Sequence, residues 1–352
     1  MKKILVSVFA ALLFFGGLSV NAFWWTKQEE TIALVPTMKC PSQAQNRIWV
    51  GTFQLAWNEL MDNFTKGPVK FEGYKSPLVK ELNSQSFKAA YISPDSYYSK
   101  FGETSPELRA EIEQAIKEKF NETSDVLDAI DWTKDEGKYV AYAMLKKDFK
   151  FIKAFSKLES DKFGSNRTKV EYFGINKDSE ADLDNTLSVL FYNAKNDFAV
   201  VIRTEGKDLV YLYRTDDDKT FDKYYSDMMI KKAQYEGSYE FSSKDELKVP
   251  NLDLYKEQEF NQLTHKRIKG TNIEIDKALE TVQFKMNNEG VKLKSEAIIA
   301  MKTCALLPQE NKPRKFYFDD TFVMFLQEYD KDTPYFAMRV HDVALLNKTA
   351  KK

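Results

Sequence analysis

The clearest alternation of hydrophobic and polar positions lies near the C-terminal end of the chain. From Val291 the odd positions are Val291, Leu293, Ser295, Ala297, Ile299 and Met301, and the even positions include Lys292, Lys294, Glu296 and Lys302. A period of two sends successive side chains to opposite faces, so Val291–Met301 is predicted to be a strand with one buried and one wet face. A strand-like run, Val282–Met286, precedes it. The two meet at Asn287-Asn288-Glu289-Gly290, where Gly290 is expected to relieve backbone strain. Pro308 and Pro313 cannot donate to a ladder and bracket a polar stretch, which predicts an exposed loop over Leu307–Lys315. Two more strand-like runs follow and place Phe322, Phe325 and Phe336 in late core strands.

Elsewhere the periods mix. Asn46–Leu60 spaces Phe53, Ala56, Trp57 and Leu60 as an amphipathic helix does. Ser105 followed by Pro106 is a helix start, and Leu108, Ile112, Ala115 and Ile116 then form one apolar face. Tyr139–Leu145, Lys169–Gly174, Leu187–Tyr192, Phe198–Arg203 and Asp208–Arg214 read as strands from their aromatic and β-branched content. No linker rich in Pro, Gly or Ser divides the chain, no tract is of low complexity, and no segment repeats. One α+β domain is expected, with mixed and antiparallel sheets, helices packed on them and an exposed C-terminal loop.

Met1–Ala22 opens with Lys2 and Lys3, continues as an apolar run from Ile4 to Phe15 and ends at Val20-Asn21-Ala22. That is the layout of a secretory signal peptide, with the uncleaved N-terminal anchor as its alternative. The apolar run is short for a membrane span, and no later segment is apolar enough for one. Residues 1–22 are therefore assigned to the signal, 23–45 to an N-terminal extension, 46–345 to the folded domain and 346–352 to a tail. Removing two lysines and no acid makes the balance two charges more negative than the −1 of the whole chain. Such a balance lacks the basic footprint of a nucleic-acid binder. With 43% hydrophobic residues the chain can bury a sizeable core. A secreted protein, periplasmic or extracellular and monomeric, is expected.

Catalytic chemistry finds little support. The two histidines, His265 and His341, lack metal-ligand spacing, and no His-Glu-x-x-His, Gly-x-Ser-x-Gly or phosphate-binding glycine loop is present. Asp216, Asp218, Thr220 and Asp222 alternate oxygen ligands, but the central Gly and closing Glu of a calcium loop are absent, so a solvated hairpin turn is expected. No enzyme, metal or cofactor is expected.

The order of motifs resembles the serpins, protease inhibitors that carry a bait loop before their last strands. Glu289 and Gly290 match the hinge, Phe318 and Phe322 follow the loop, and Phe336, Arg339 and Val340 stand near the end. Asn46 precedes a matching first helix. Ile92-Ser93-Pro94 with Ser96 resembles the Ser-Pro-x-Ser helix start, Trp132–Gly137 resembles the Trp-Thr-Gly pattern before a main-sheet strand, and Val249-Pro250-Asn251-Leu252 resembles Val-Pro-x-Phe. The resemblance implies a hinge at Glu289, Gly290 and Val291. It also implies a bait loop within Thr303–Lys315, with Thr303, Cys304, Ala305, Leu306, Leu307 and Arg314 as candidates, and a target protease as partner. In that mechanism the cleaved loop inserts into the main sheet as a new strand. Four features depart from the family: Lys292 and Lys294 replace small hinge residues, the loop is longer, an insertion lies between Met61 and Phe87, and few residues separate Phe120 from Tyr139. A non-inhibitory serpin-like binding or structural protein is the alternative, and an unrelated secreted β-rich adhesin the third reading. In an oxidising compartment Cys40 and Cys304 are a candidate disulfide; one buried and one exposed thiol is the other possibility.

The leader predicts cleavage after Ala22. N-terminal sequencing of exported protein is expected to begin at Phe23; membrane-embedded chain with Met1 intact would contradict it.

Overall fold

The computed structural model describes residues 32–133, 138–177, 186–293 and 313–347. The chain enters through β1 (Ile32–Leu34) and β2 (Asn46–Val50), then α1 (Thr52–Glu59), a π-helical turn over Leu60–Thr65 and α2 (Pro77–Leu82). Next come β3 (Tyr97–Glu103), α3 (Pro106–Phe120), β4 (Tyr139–Leu145), β5 (Lys147–Lys150), β6 (Ser156–Phe163) and β7 (Thr168–Ile175). β8 (Leu187–Ala194), β9 (Asp197–Arg203) and β10 (Asp208–Arg214) lead to α4 (Phe221–Gln234). The remaining strands are β11 (Glu246–Pro250), β12 (Leu252–Glu259), β13 (Leu279–Met286), β14 (Gly290–Leu293), β15 (Lys315–Tyr317), β16 (Phe322–Glu328) and β17 (Phe336–Val340).

These strands form four sheets. A seven-stranded sheet runs β1-β2-β17-β16-β10-β9-β8, one four-stranded sheet runs β15-β11-β7-β6, another runs β12-β13-β14-β5, and β3 pairs with β4. Pairing is antiparallel except for β1 with β2 and β11 with β15. β16 and β17 are buried throughout, so their apolar residues do not alternate with exposed polar ones, and the polar residues they carry, Gln327, Glu328 and Arg339, are buried with partners. The sheet containing β13 stacks on the seven-stranded sheet, with the rings of Phe284 and Phe336 4.9 Å apart and nearly parallel. α4 covers the seven-stranded sheet through edge contacts of Phe221 and Tyr225 with Phe325. A smaller core joins Leu108, Ile112 and Ile116 of α3 to Tyr142 of β4 and to Trp132. The fold is α+β, as expected.

Ser105 caps α3 by accepting the Leu108 amide, with Pro106 in the first turn. Four expectations need correction. Asn46–Val50 is a strand, not the first turn of a helix, because all five residues are buried and Arg47–Val50 pair with β17. The helix begins only at Thr52. The helix expected at the Ser-Pro-x-Ser motif is a single 3-10 turn over Pro94–Ser96, after which the chain continues as the strand β3. The acidic run at Asp216–Asp222 is no hairpin turn, since Thr220 stands at the N-terminus of α4. Asp218 there pairs with Arg47, and Asp216 with Arg214. Lys315 opens a strand that pairs with β11 instead of ending an exposed loop. β1 lies within the stretch read as an N-terminal extension and forms the sheet edge.

Phe53 and Trp57 are buried on α1, and the Trp57 indole N–H donates to Asn83 Oδ1 at 3.1 Å. Trp57→Ala is expected to cost roughly 3–5 kcal/mol and lower the melting temperature sharply; an unchanged melting curve would contradict this packing.

Candidate functional site

Of the residues expected to form a hinge, Gly290 and Val291 lie in a strand slot, β14, and Glu289 lies in the turn that leads into it. β13 ends at Met286, and β14 turns back antiparallel to it, pairing Lys285 with Lys292 and Met286 with Val291. On its other side β14 pairs with β5, from Gly290 opposite Lys150 to Leu293 opposite Lys147. Asn287 Oδ1 accepts the amides of Glu289 and Gly290 and closes the turn. The Glu289 and Asn288 carbonyls accept the Phe151 and Phe155 amides, each at 2.9 Å. Gly290 is needed for proximity, not for strain relief: its φ is not positive, and a Cβ there would meet the Phe149 carbonyl oxygen at 2.2 Å. Val291 is buried and Lys292 exposed, in the alternation expected of this segment.

The slot opens onto a seam. Only Lys146 separates β4 from β5, and its amide donates to Ser96 O at 2.9 Å, so β4 and β5 run as one strand. β4 pairs with β3 along one edge. β13 pairs with β12 along its whole length, but with β14 only at Lys285 and Met286. Among the described residues no strand pairs with the inner edges of β4 and of Leu279–Phe284.

Each wall is fixed from beneath. Lys147 Nζ lies 2.8 Å from Asp208 and 2.5 Å from Glu328, and 5.0 Å from the Tyr335 ring centre. Tyr335 donates to Asp208, and Ser93 donates its amide and hydroxyl to Glu328. Burial raises the Asp208 carboxyl above its ordinary range. Burial acts the same way on Glu328, but Lys147 and Ser93 outweigh it and hold that carboxyl low. Lys147 thus faces two carboxyls whose proton affinities are pushed in opposite directions. Losing one partner of such a buried pair costs on the order of 3–5 kcal/mol.

On the other wall, Glu280 of β13 points to the core side with Val282, Phe284 and Met286 and is 5% exposed. Thr52 donates to its Oε1 at 3.2 Å and the Phe53 amide also bonds it, whereas Oε2 has no partner. Burial pushes this carboxyl up to about 8 against both donors. The folded state therefore binds the proton more tightly than the unfolded chain. The stability this contributes is complete below the ordinary carboxylate range and is lost as pH rises to about 8.

Residues Thr303, Cys304, Ala305, Leu306 and Leu307, most of the Val291–Met301 strand and the Met1–Ala22 leader lie outside the described residues. Arg314, a bait candidate, is corrected: it is buried at 8% exposure. Its amide and guanidinium bind Asp245, with the closest ion-pair contact at 2.7 Å, and it donates to the carbonyls of Ser238 and Glu240. The Cys40 thiol is half-buried, and burial together with Glu81 raises it; its expected partner Cys304 is among the undescribed residues. His265 is exposed, while His341 accepts or donates a 2.8 Å bond with Thr321 and is held low by burial. No cluster of metal-ligating side chains occurs, and no helix is long and apolar enough to cross a membrane, among the described residues.

No family model and no curated protein matches the sequence. Among solved structures the chain is similar to mouse protein-Z dependent protease inhibitor, with a TM-score of 0.52 and 14% identity over 86% of this chain and 92% of that one. It also matches thyroxine-binding globulin in complex with thyroxine (TM-score 0.47, 10% identity, 85% and 93% covered). A third match is Serpin48 of the insect Tenebrio molitor (0.45, 11%, 85% and 92%). The chain has a divergent serpin-like fold.

Replacing Gly290 by Val is expected to push β14 away from β5 and cost about 1–3 kcal/mol, as overpacking does. Hydrogen exchange reads this as lost protection at Val291–Leu293; retained protection would show that the close approach is not needed.

Proposed function

We propose that this protein is a secreted serpin-like protease inhibitor whose bait segment lies between Leu293 and Arg314, with the scissile bond among Thr303, Cys304, Ala305, Leu306 and Leu307. The observation that carries this reading is the seated hinge, with β14 hydrogen-bonded on both edges at the mouth of the seam. Continuing its register past Leu293 would bring Ser295 opposite Leu145 and Met301 opposite Tyr139, the full length of β4. The small and apolar residues would then follow Val291 onto the buried face, and Lys294 and Glu296 would stay with Lys292 on the wet one. No charge would be stranded in the core, where an unpaired one is prohibitive.

The second reading is a non-inhibitory serpin-like protein whose β14 is a permanent sheet member. Lys292 and Lys294 favour it, because bulky hinge side chains slow entry between two strands.

Limited proteolysis is expected to cut ahead of Arg314, at Lys312 or Leu307, because exposed tips are nicked first. The cut protein should melt higher than the intact one. Incubation with a panel of serine and cysteine proteases should give an adduct that survives denaturation. No gain in stability together with no adduct would overturn inhibition and favour the second reading.

A further inference from the structure

α1 begins without an ordinary cap. Its N-cap is Gly51, with no side-chain bond, and no acid stands in its first turn. The acid comes instead from across the seam. Glu280, on β13, takes the Thr52 hydroxyl and the Phe53 amide, so the carboxyl joins a seam wall to the helix packed against the other wall, β4. A carboxylate at a helix N-terminus is favourable in water, but this one is enclosed and its Oε2 has no donor.

Few charges bear on it. On β12 its cross-strand neighbour is Gln258, whose amide is already used by both backbone groups of Leu34, and Lys256 shares that face further along. Glu257 and Glu259 alternate to the exposed face of β12. β4 carries no charged side chain, and its Tyr142 packs toward α3. β13 itself places Lys285 on the exposed face. Burial is the largest influence on the carboxyl, and only Thr52 and the Phe53 amide oppose it.

We propose that Glu280 is a proton-operated latch on the seam: protonated, it holds β13 to the start of α1, and loss of its proton frees β13 and opens the seam. This rests on the strand-insertion reading for what opening accomplishes, but opening itself is a property of the intact chain. The open state exposes the carboxyl, which then titrates in its ordinary range, whereas the closed state keeps the proton up to about pH 8. Opening therefore releases a proton, and its equilibrium constant should rise about tenfold per pH unit through this window and flatten above it.

Hydrogen exchange of the intact full chain, corrected for the intrinsic pH dependence of amide exchange, tests this. Leu279–Phe284 and the first turn of α1 should show that slope in the wild type and a flat profile in Glu280→Gln. Should Glu280→Gln fail to fold, Thr52→Ala serves: it removes a donor that favours the ionised form, so the upper end of the slope moves to higher pH. A wild-type profile without slope, a slope retained in Glu280→Gln, or an unmoved upper end in Thr52→Ala would overturn the latch. The gain in heat stability after nicking reports on insertion alone, so the two ideas fail separately.

Discussion

The arrangement depends on one close approach, that of the Gly290 backbone to the carbonyl of Phe149. The walls on either side of β14 are positioned independently of it. β5 is drawn onto the seven-stranded sheet by Lys147, and β13 is held by β12 and by the stack of Phe284 on Phe336. Their separation is therefore set by the packing of two sheets, and interiors of this density do not stretch to admit another atom. β14 fits because its first residue has no side chain.

The two ends of the segment between Leu293 and Arg314 are held by different physics. At the near end the bonds are backbone bonds of a short strand, each worth about 0.5–1.5 kcal/mol net, and they can be extended residue by residue. At the far end Arg314 is bound through its amide and its guanidinium to a buried carboxylate and two carbonyls. Such a clamp is all or nothing, since a partial break strands a buried charge. In the proposed insertion, rearrangement would thus fall to the β14 end, and a cut upstream would leave Lys315–Tyr317 in the sheet beside β11.

The parts of this that were legible in the sequence are those where one period or one cap decides the outcome. Ser105-Pro106 fixed the start of α3, and alternation marked β13 and the face of Val291. Asn46–Val50 escaped because a strand buried on both faces has no alternation, and its apolar residues run on into the spacing of α1. β3 escaped because Tyr97–Glu103 is half-buried on both sides and shows no period. Arg314 read as an exposed basic loop residue because its partner, Asp245, is 69 positions away. Lys147, Asp208 and Glu328 likewise meet only in the fold. Glu280 was within reach: it shares its parity with Val282, Phe284 and Met286, so an acid on the buried face could have been read from the strand itself.

The residues that carried the family resemblance explain how a fold persists at 14% identity. Those in the seven-stranded sheet and beside it, Asn46, Phe318, Phe322, Phe336, Arg339 and Val340, are all buried, whereas Glu289 and Pro94 are exposed. Phe318 and Phe322 are fully buried with their rings 5.4 Å apart, and Phe318 also meets Phe198 of β9. Arg339 donates from within the core to the Tyr224 hydroxyl and the Gln45 carbonyl, joining β17 to α4 and to the entry of β2. Asn46 accepts the amides of His341 and Asp342 and ties that same entry to the exit of β17. Each has several partners at fixed distances, so replacing one leaves the others unsatisfied. The hinge is constrained differently. Gly290 must stay small, but Lys292 faces water and is free to vary, which is where this chain departs from the small hinge residues that the resemblance implies. Packing fixes the architecture there while leaving open how fast a strand can follow into the seam, and that speed separates an inhibitor from a protein that only shares its fold.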